Sequence, residues 1–340
     1  MKPGLCIVAA LALLTLLLII AGCSQPAPAS TPVVWIVYGS EKGDLSYTDA
    51  AYQGLLAAQQ NQALTIREFV PQNFETLPAL LNATTGADRP ALIITVGFQY
   101  AGFTRDLAKL HKNIRFLAID QAGIGSDNLR SYEITSYGDS YLAGVLAASV
   151  TRTQQVGIIM GTESEVLETF LDGYTDGARA VNATIIIDHA YVRHHSTEGF
   201  TDPDGSERIA EALYRNGTDV IFACAGYSNT GIFSVAGNTP GRYVIGTDSD
   251  QSPLGPKFIL ASAVKRVERV VSAGIGDTLD GTFTGGNVTA GLGEGVTGIV
   301  FNPRFAAYNE SVATWEERAR AEEREYLQSH ARQGRENGEP

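Results

Sequence analysis

Two doubly wound α/β lobes facing one another across a cleft are the architecture this sequence predicts, and three observations predict it. From residue 33 onward, short apolar runs rich in β-branched residues alternate with helix-length amphipathic segments. Continuous runs of that kind are strands of parallel sheets covered by helices on both faces. Roughly seven such units occur, more than one modest sheet holds, so two lobes fit better than one. Most of the runs also end in a polar or glycine-bearing turn, and in doubly wound sheets ligands sit outside the carboxyl ends of the strands.

The elements follow in order. Val33 to Tyr38 reads as a buried strand and Thr48 to Gln60 as the helix after it. Ala91–Val96 and Arg115–Ile119 are the next clear strands, followed by Val156–Met160, Thr184 to Ile187, Val220 to Ala223 and Tyr243 to Ile245. The turns at their ends are Gly39-Ser40, Gly97-Phe98, Asp120-Gln121, Gly161-Thr162, Gly226-Tyr227 and Gly246-Thr247-Asp248. Trp315 to Arg335 is rich in Glu and Arg at spacings that suit a solvated surface helix fraying into a polar tail.

The chain has 340 residues, 44% hydrophobic and 18% charged, which supports a sizeable core and excludes global disorder. A net charge of −12 excludes a nucleic-acid surface, which needs a basic stripe to meet phosphates. The three cysteines, Cys6, Cys23 and Cys224, have neither zinc nor redox spacing, so no metal and no cofactor is expected. Cys224 reads as a small core residue.

Lys2, the apolar run Leu5 to Ile20 and the small pair Ala21-Gly22 before Cys23 describe a secretory leader. They resemble a lipobox, which implies cleavage after residue 22, lipidation of Cys23 and an anchor on the outer face of the cell membrane. An uncleaved membrane anchor is the alternative. Residues 24 to 32 have the Pro/Ser composition of an extended spacer. The expected organisation is a leader over 1–22 and a linker over 23–32. Lobe 1 then comprises 33–133 plus 258–283, lobe 2 comprises 134–257 plus 284–305, and 306–340 is a charged helix and tail.

Three strand-end segments carry candidate chemistry. In Gly43-Asp44-Leu45-Ser46-Tyr47-Thr48-Asp49, Ser46 and Asp49 have the spacing of a capping box. Tyr47 stands at a sheet mouth, where an aromatic ring can stack on a planar ligand. In Ala225 to Gly231, Tyr227 offers a second ring between flanking glycines; plain packing is the alternative for each tyrosine. In Ile245 to Gln251, Asp248 is positioned to accept hydrogen bonds from neighbouring hydroxyls, as is Asp120 after another strand. Lys265 either joins these carboxylates or makes a surface ion pair. An enzyme is not expected. Gly-x-Ser-x-Gly and a P-loop are absent from the sequence, and His194-His195, if on a strand, point to opposite faces.

The ordered motifs Asp44-Leu-Ser-Tyr-Thr-Asp49, Val96-Gly-Phe98, Phe116-Leu-Ala-Ile-Asp120, Tyr141-Leu-Ala-Gly144, Phe170-Leu-Asp-Gly173, Val244 to Gln251 and Ser262 to Arg266 resemble the basic membrane protein (BMP) family over residues 33 to 303. That family comprises purine nucleoside receptors of ABC transport systems. The resemblance implies a type I periplasmic-binding-protein fold with three crossovers between its lobes, and ABC permease subunits as partners. It further implies a base clamped between aromatics and a ribose held by aspartate and lysine. Carried over, Tyr47 and Tyr227 are the clamp, Asp120 and Asp248 meet ribose hydroxyls with Lys265 assisting, and Asp44 heads the loop receiving the base. With Thr48, Asp49 and Phe98 from the same motifs, these form the expected ligand-binding set.

The chain departs from the family pattern where Thr48-Asp49 replace Asn-Gln, and where Tyr38-Gly39-Ser40 replaces a strand-end Asp. A same-fold receptor for a sugar or other small metabolite, or a ligand-sensing surface lipoprotein, therefore remains an alternative.

Overall fold

The computed structural model describes residues 31–336; the leader, Cys23 and the linker up to residue 30 lie outside the described residues. Among those described, the strands form two six-stranded sheets. The first contains β1 (Val33–Val37), β2 (Thr65–Phe69), β3 (Leu92–Val96), β4 (Arg115–Ile119), β5 (Leu129–Ile134) and β11 (Gly286–Ala290), in the order β11-β5-β4-β3-β1-β2. Every pairing in it is parallel. The second contains β6 (Gln155–Met160), β7 (Ile186–Tyr191), β8 (Val220–Cys224), β9 (Tyr243–Asp248), β10 (Ile259–Lys265) and β12 (Thr297–Phe301), in the order β12-β10-β9-β8-β6-β7. Only β12 runs antiparallel, beside β10.

Helices cover both faces of each sheet, which is why the central strands are mostly apolar. Along β1 and just beyond it, Val34, Ile36 and Tyr38 pack with α1 (Tyr47–Asn61) and α8 (Val267–Leu279). The alternate residues Val33, Trp35 and Val37 pack with α2 (Leu77–Ala83) and α3 (Ala101–Leu110) on the opposite face. In lobe 2, α4 (Tyr137–Val150) and α5 (Glu165–Val181) cover one face, and α6 (Pro203–Arg215) and α7 (Asn229–Asn238) the other. Each fully buried Val, Leu or Ile in these layers contributes about 1.5–3 kcal/mol.

The α4–α5 contact explains two sequence motifs. A Cβ on Gly144 would lie 2.1 Å from the Tyr174 carbonyl oxygen, and one on Gly177 1.9 Å from that of Tyr141. The helix backbones meet at a distance only glycine permits, so Tyr141-Leu-Ala-Gly144 is a packing motif. The glycine of Phe170-Leu-Asp-Gly173 abuts Tyr137 in the same way.

The chain passes between lobes after β5, after β10 and after β11. This corrects the lobe boundaries in two places. Residues 259–265, expected in lobe 1, pair with β9 and β12 in lobe 2. Residues 286–290, expected in lobe 2, pair with β5 in lobe 1. Chain order alone does not reveal these exchanges, because each is decided by which sheet edge the strand can reach.

After the short α9 (Asn309–Ala313), the C-terminal helix α10 (Glu316–Glu336) also differs from the solvated surface helix expected. Ala319 and Glu323 are buried. The Glu323 carboxylate accepts hydrogen bonds from the backbone N–H groups of Gly138, Leu292 and Gly293, at 3.1, 3.0 and 3.3 Å. Gly138 follows the first crossover and the other two lie in the third. The Tyr326 ring stacks on Tyr137 at 4.4 Å. The helix is thereby docked against the hinge.

Candidate functional site

A cavity of about 720 Å³ opens between the lobes at the carboxyl ends of the parallel strands. From Pro32 on, the chain forms one compact unit, so both walls belong to one body. Lobe 1 contributes the turns after β1, β3 and β4 together with the start of α1. Lobe 2 contributes the ends of β8, β9 and β10, the first turns of α5, and the loop before α6.

At the floor, Lys265 Nζ donates to Asp120 Oδ2 at 2.7 Å, and both side chains are almost fully enclosed. Lys265 ends β10 of lobe 2 and Asp120 follows β4 of lobe 1, so a buried ion pair joins the lobes. The surface ion pair considered for Lys265 is not what the structure contains. The Lys265 ammonium also lies 5.7 Å from the Tyr47 ring centroid and 5.6 Å from that of Phe170, within cation–π range of both.

Asp248 closes β9 on the other side of the floor. Its Oδ2 accepts from Ser46 Oγ at 2.6 Å, another contact between lobes. Burial pushes its carboxyl up to about 6, against the Lys265 charge and the Ser46 hydrogen bond, which both pull it down. Asp120 and Asp248 share a backbone signature, with φ of +58° and +63°. Left-handed backbone is unfavourable for a residue with a side chain and concentrates where a site imposes it. The two carboxylates keep acceptor capacity toward the cavity, which suits neighbouring hydroxyls on a neutral ligand.

Tyr47 begins α1. Its hydroxyl is enclosed beside the Asp120 carboxylate without a hydrogen bond of good geometry. Burial, then the nearby Asp120 and Asp248 carboxylates, hold that phenol well above its ordinary range, so it is a neutral ring with a donor to offer. The buried Thr48 and the half-buried Phe98 line the same cavity. Phe98 rides on the Gly97 turn, which Gln121 secures by donating to the Gly97 carbonyl at 3.1 Å.

The capping-box expectation for Ser46 and Asp49 requires correction. Ser46 makes no side-chain cap bond. Asp44 does that work: its carboxylate accepts from the N–H groups of Ser46, Thr48 and Asp49 at 3.0, 2.8 and 3.1 Å. Asp49 instead accepts from Gly43 N and Leu45 N, folding the loop back on itself, and does not line the cavity. Asp44 touches the cavity with its carboxylate already engaged by backbone.

Tyr227 lines the cavity but is 42% exposed at its rim. Two further aromatic residues of lobe 2, Phe170 on α5 and Phe200 in the 3₁₀ turn Thr197–Phe200, also line it. Sequence reasoning from strand ends misses both, because neither follows a strand directly; the Phe170-Leu-Asp-Gly173 motif was the available signal. Cys224 is buried as expected and also touches the cavity floor. His194 and His195 follow β7 rather than lying in it, and both rings turn toward the Glu163 carboxylate instead of to opposite faces. Among the described residues, no group of three His, Cys, Asp or Glu side chains is arranged to hold a metal ion.

Residues 31–327 match the family model described as ABC transporter substrate-binding protein, PnrA-like. The chain belongs to this family. Among its relatives, the ABC transporter nucleoside-binding protein BmpA of Lactococcus lactis is 33% identical over 213 residues, covering 58% of this chain and 59% of that protein. Basic membrane protein A1 of Borrelia garinii is 28% identical over 295 residues, covering 82% of each. A solute-binding protein of an ABC transporter system from Aeropyrum pernix has the same fold, with a TM-score of 0.73 at 23% identity over 91% of this chain and 92% of that one. This PnrA-like substrate-binding protein thus has the two-lobed fold that the resemblance implied. No helix among its described residues is long and apolar enough to cross a membrane.

Proposed function

We propose that this substrate-binding protein captures a purine nucleoside between its lobes for uptake through an ABC permease, without chemical turnover. The reading rests on one observation: two strand-end carboxylates and a buried lysine converge beneath an aromatic-lined cavity of about 720 Å³. A vicinal diol donates two hydrogen bonds that Asp120 and Asp248 accept, with Lys265 donating to a ring or hydroxyl oxygen. Charge-assisted bonds of that kind are the stronger ones in a site from which water is excluded. The flat base lies against Tyr47, with Phe200, Phe170 and the rim residue Tyr227 on the facing wall. The Lactococcus relative, an ABC transporter nucleoside-binding protein, supports a nucleoside as ligand.

Closure of the lobes by hinge motion creates the form that the permease recognises. Cys23 anchors the chain to the outer face of the membrane, and the spacer gives the lobes reach. Calorimetry with inosine, guanosine, adenosine, cytidine and ribose tests the ligand class. The purine nucleosides are expected to bind most tightly. Ribose binding more tightly than every nucleoside would overturn the assignment.

A further inference from the structure

We propose that Ser46 is a positioning residue for the site: it reaches from lobe 1 to hold Asp248 of lobe 2 in its ligand-accepting orientation. The inference extends the functional reading above, in which Asp248 meets the ligand. A hydroxyl at the start of a helix ordinarily satisfies the helix's own N–H groups. Here Asp44 does so, and the Ser46 hydroxyl is released to the other lobe.

Three more contacts seat the same loop on the turn after β9. Ser46 Oγ lies 3.4 Å from the Thr247 carbonyl, Ser249 Oγ donates to the Ser46 carbonyl at 3.1 Å, and Gln251 Nε2 donates to the Leu45 carbonyl at 3.2 Å. Leu45 and Asp248, on the two sides of this contact, both have left-handed backbone, at φ of +55° and +63°. Ser46 is fully buried. Because Tyr47 is the next residue, one docking event sets the ring and the carboxylate together.

Asp248 is surrounded by Lys265, Asp44 and Asp120, and its charge is felt in turn by Tyr47, Cys224 and Asp139. Lys265 is the cation in that group. The hydrogen bond from Ser46 is therefore a principal neutral support for the ionised carboxylate, and it acts through geometry that a filler of the same volume would not reproduce.

The test compares wild type, Ser46→Ala and Asp248→Asn, with the titration midpoint of the Asp248 carboxyl followed by NMR in the ligand-free protein and inosine affinity by calorimetry. Ser46→Ala is expected to raise the Asp248 midpoint and to weaken inosine binding by about tenfold at pH 7.5. Should Ser46→Ala fail to fold, Ser46→Cys, which keeps the size and has only a weak donor, is read in the same way. An unchanged midpoint overturns the proposal. If Asp248→Asn binds inosine as wild type does, or wild type does not bind it, the nucleoside reading fails, and the midpoint alone then decides the role of Ser46.

Discussion

Lys265 Nζ and Asp120 Oδ2 meet at 2.7 Å across the boundary between lobes, with side chains only 2% and 5% exposed. Removing one member of a buried pair leaves the other charge without compensation, at about 3–5 kcal/mol. Lys265→Met is therefore expected to destabilise the protein by that order. The double variant Lys265→Met/Asp120→Asn should recover part of the loss. A urea double-mutant cycle measures both; additive single effects would refute the coupling.

Tyr47→Ala should weaken nucleoside binding by about 5- to 150-fold, the equivalent of roughly 1–3 kcal/mol for one stacked base. Tyr47→Phe should retain most of the affinity, because it keeps the ring on which the base stacks. On the facing wall, Phe200→Ala and Phe170→Ala should cost more than Tyr227→Ala, since the Tyr227 ring stands exposed at the rim. Titration calorimetry with inosine ranks all five variants.

The carboxyl of Asp248, raised by burial to about 6, gives binding and stability opposite pH dependences. The ligand needs the ionised acceptor, so affinity should fall below pH 6 by up to about tenfold per pH unit. Stability behaves differently, because the folded state holds this proton more tightly than the unfolded chain does. The contribution of Asp248 is greatest in acid, declines as pH rises from the ordinary value of 3.8 to about 6, and is level above that. Asp248→Asn should abolish both trends, which calorimetry and chemical denaturation across pH 4–8 would register.

Gly177→Ala should destabilise lobe 2. Its Cβ would lie 1.9 Å from the Tyr141 carbonyl oxygen, so one helix backbone must shift to admit it. Overpacking of this kind costs about 1–3 kcal/mol, and occasionally more. Thermal unfolding gives the loss. An unchanged melting temperature would mean that the α4–α5 spacing is looser than described.

The central strands are legible in the sequence because burial on both faces makes them predominantly apolar. The expected Arg115–Ile119 coincides with β4, and Val33 to Tyr38 with β1 to within one residue. The edge strand Thr65–Phe69 was not legible, since Thr-Ile-Arg-Glu-Phe carries two charges on a largely exposed element. In the candidate site, Asp120 and Asp248 are legible because each stands at the end of a strand. Ser46 was misread for a physical reason: Ser-x-x-Asp is a local signal, whereas its partner lies 202 residues away. Glu323 was hidden likewise, because a carboxylate meant for a buried nest of N–H groups looks the same in sequence as one meant for water.

The reach of Glu323 bears on how the protein is made. Its hydrogen bond to Gly138 spans 185 positions, and the strands that finish each sheet, β11 and β12, also come late in the chain. During synthesis, which proceeds from the amino terminus, the first sheet cannot be completed before residue 290 of the 340 has emerged, nor the second before residue 301. The joint between the halves is braced later still. Contacts this distant slow folding, because the intervening chain must first be brought to order. The newly made chain thus lacks the brace across its hinge until its final helix arrives.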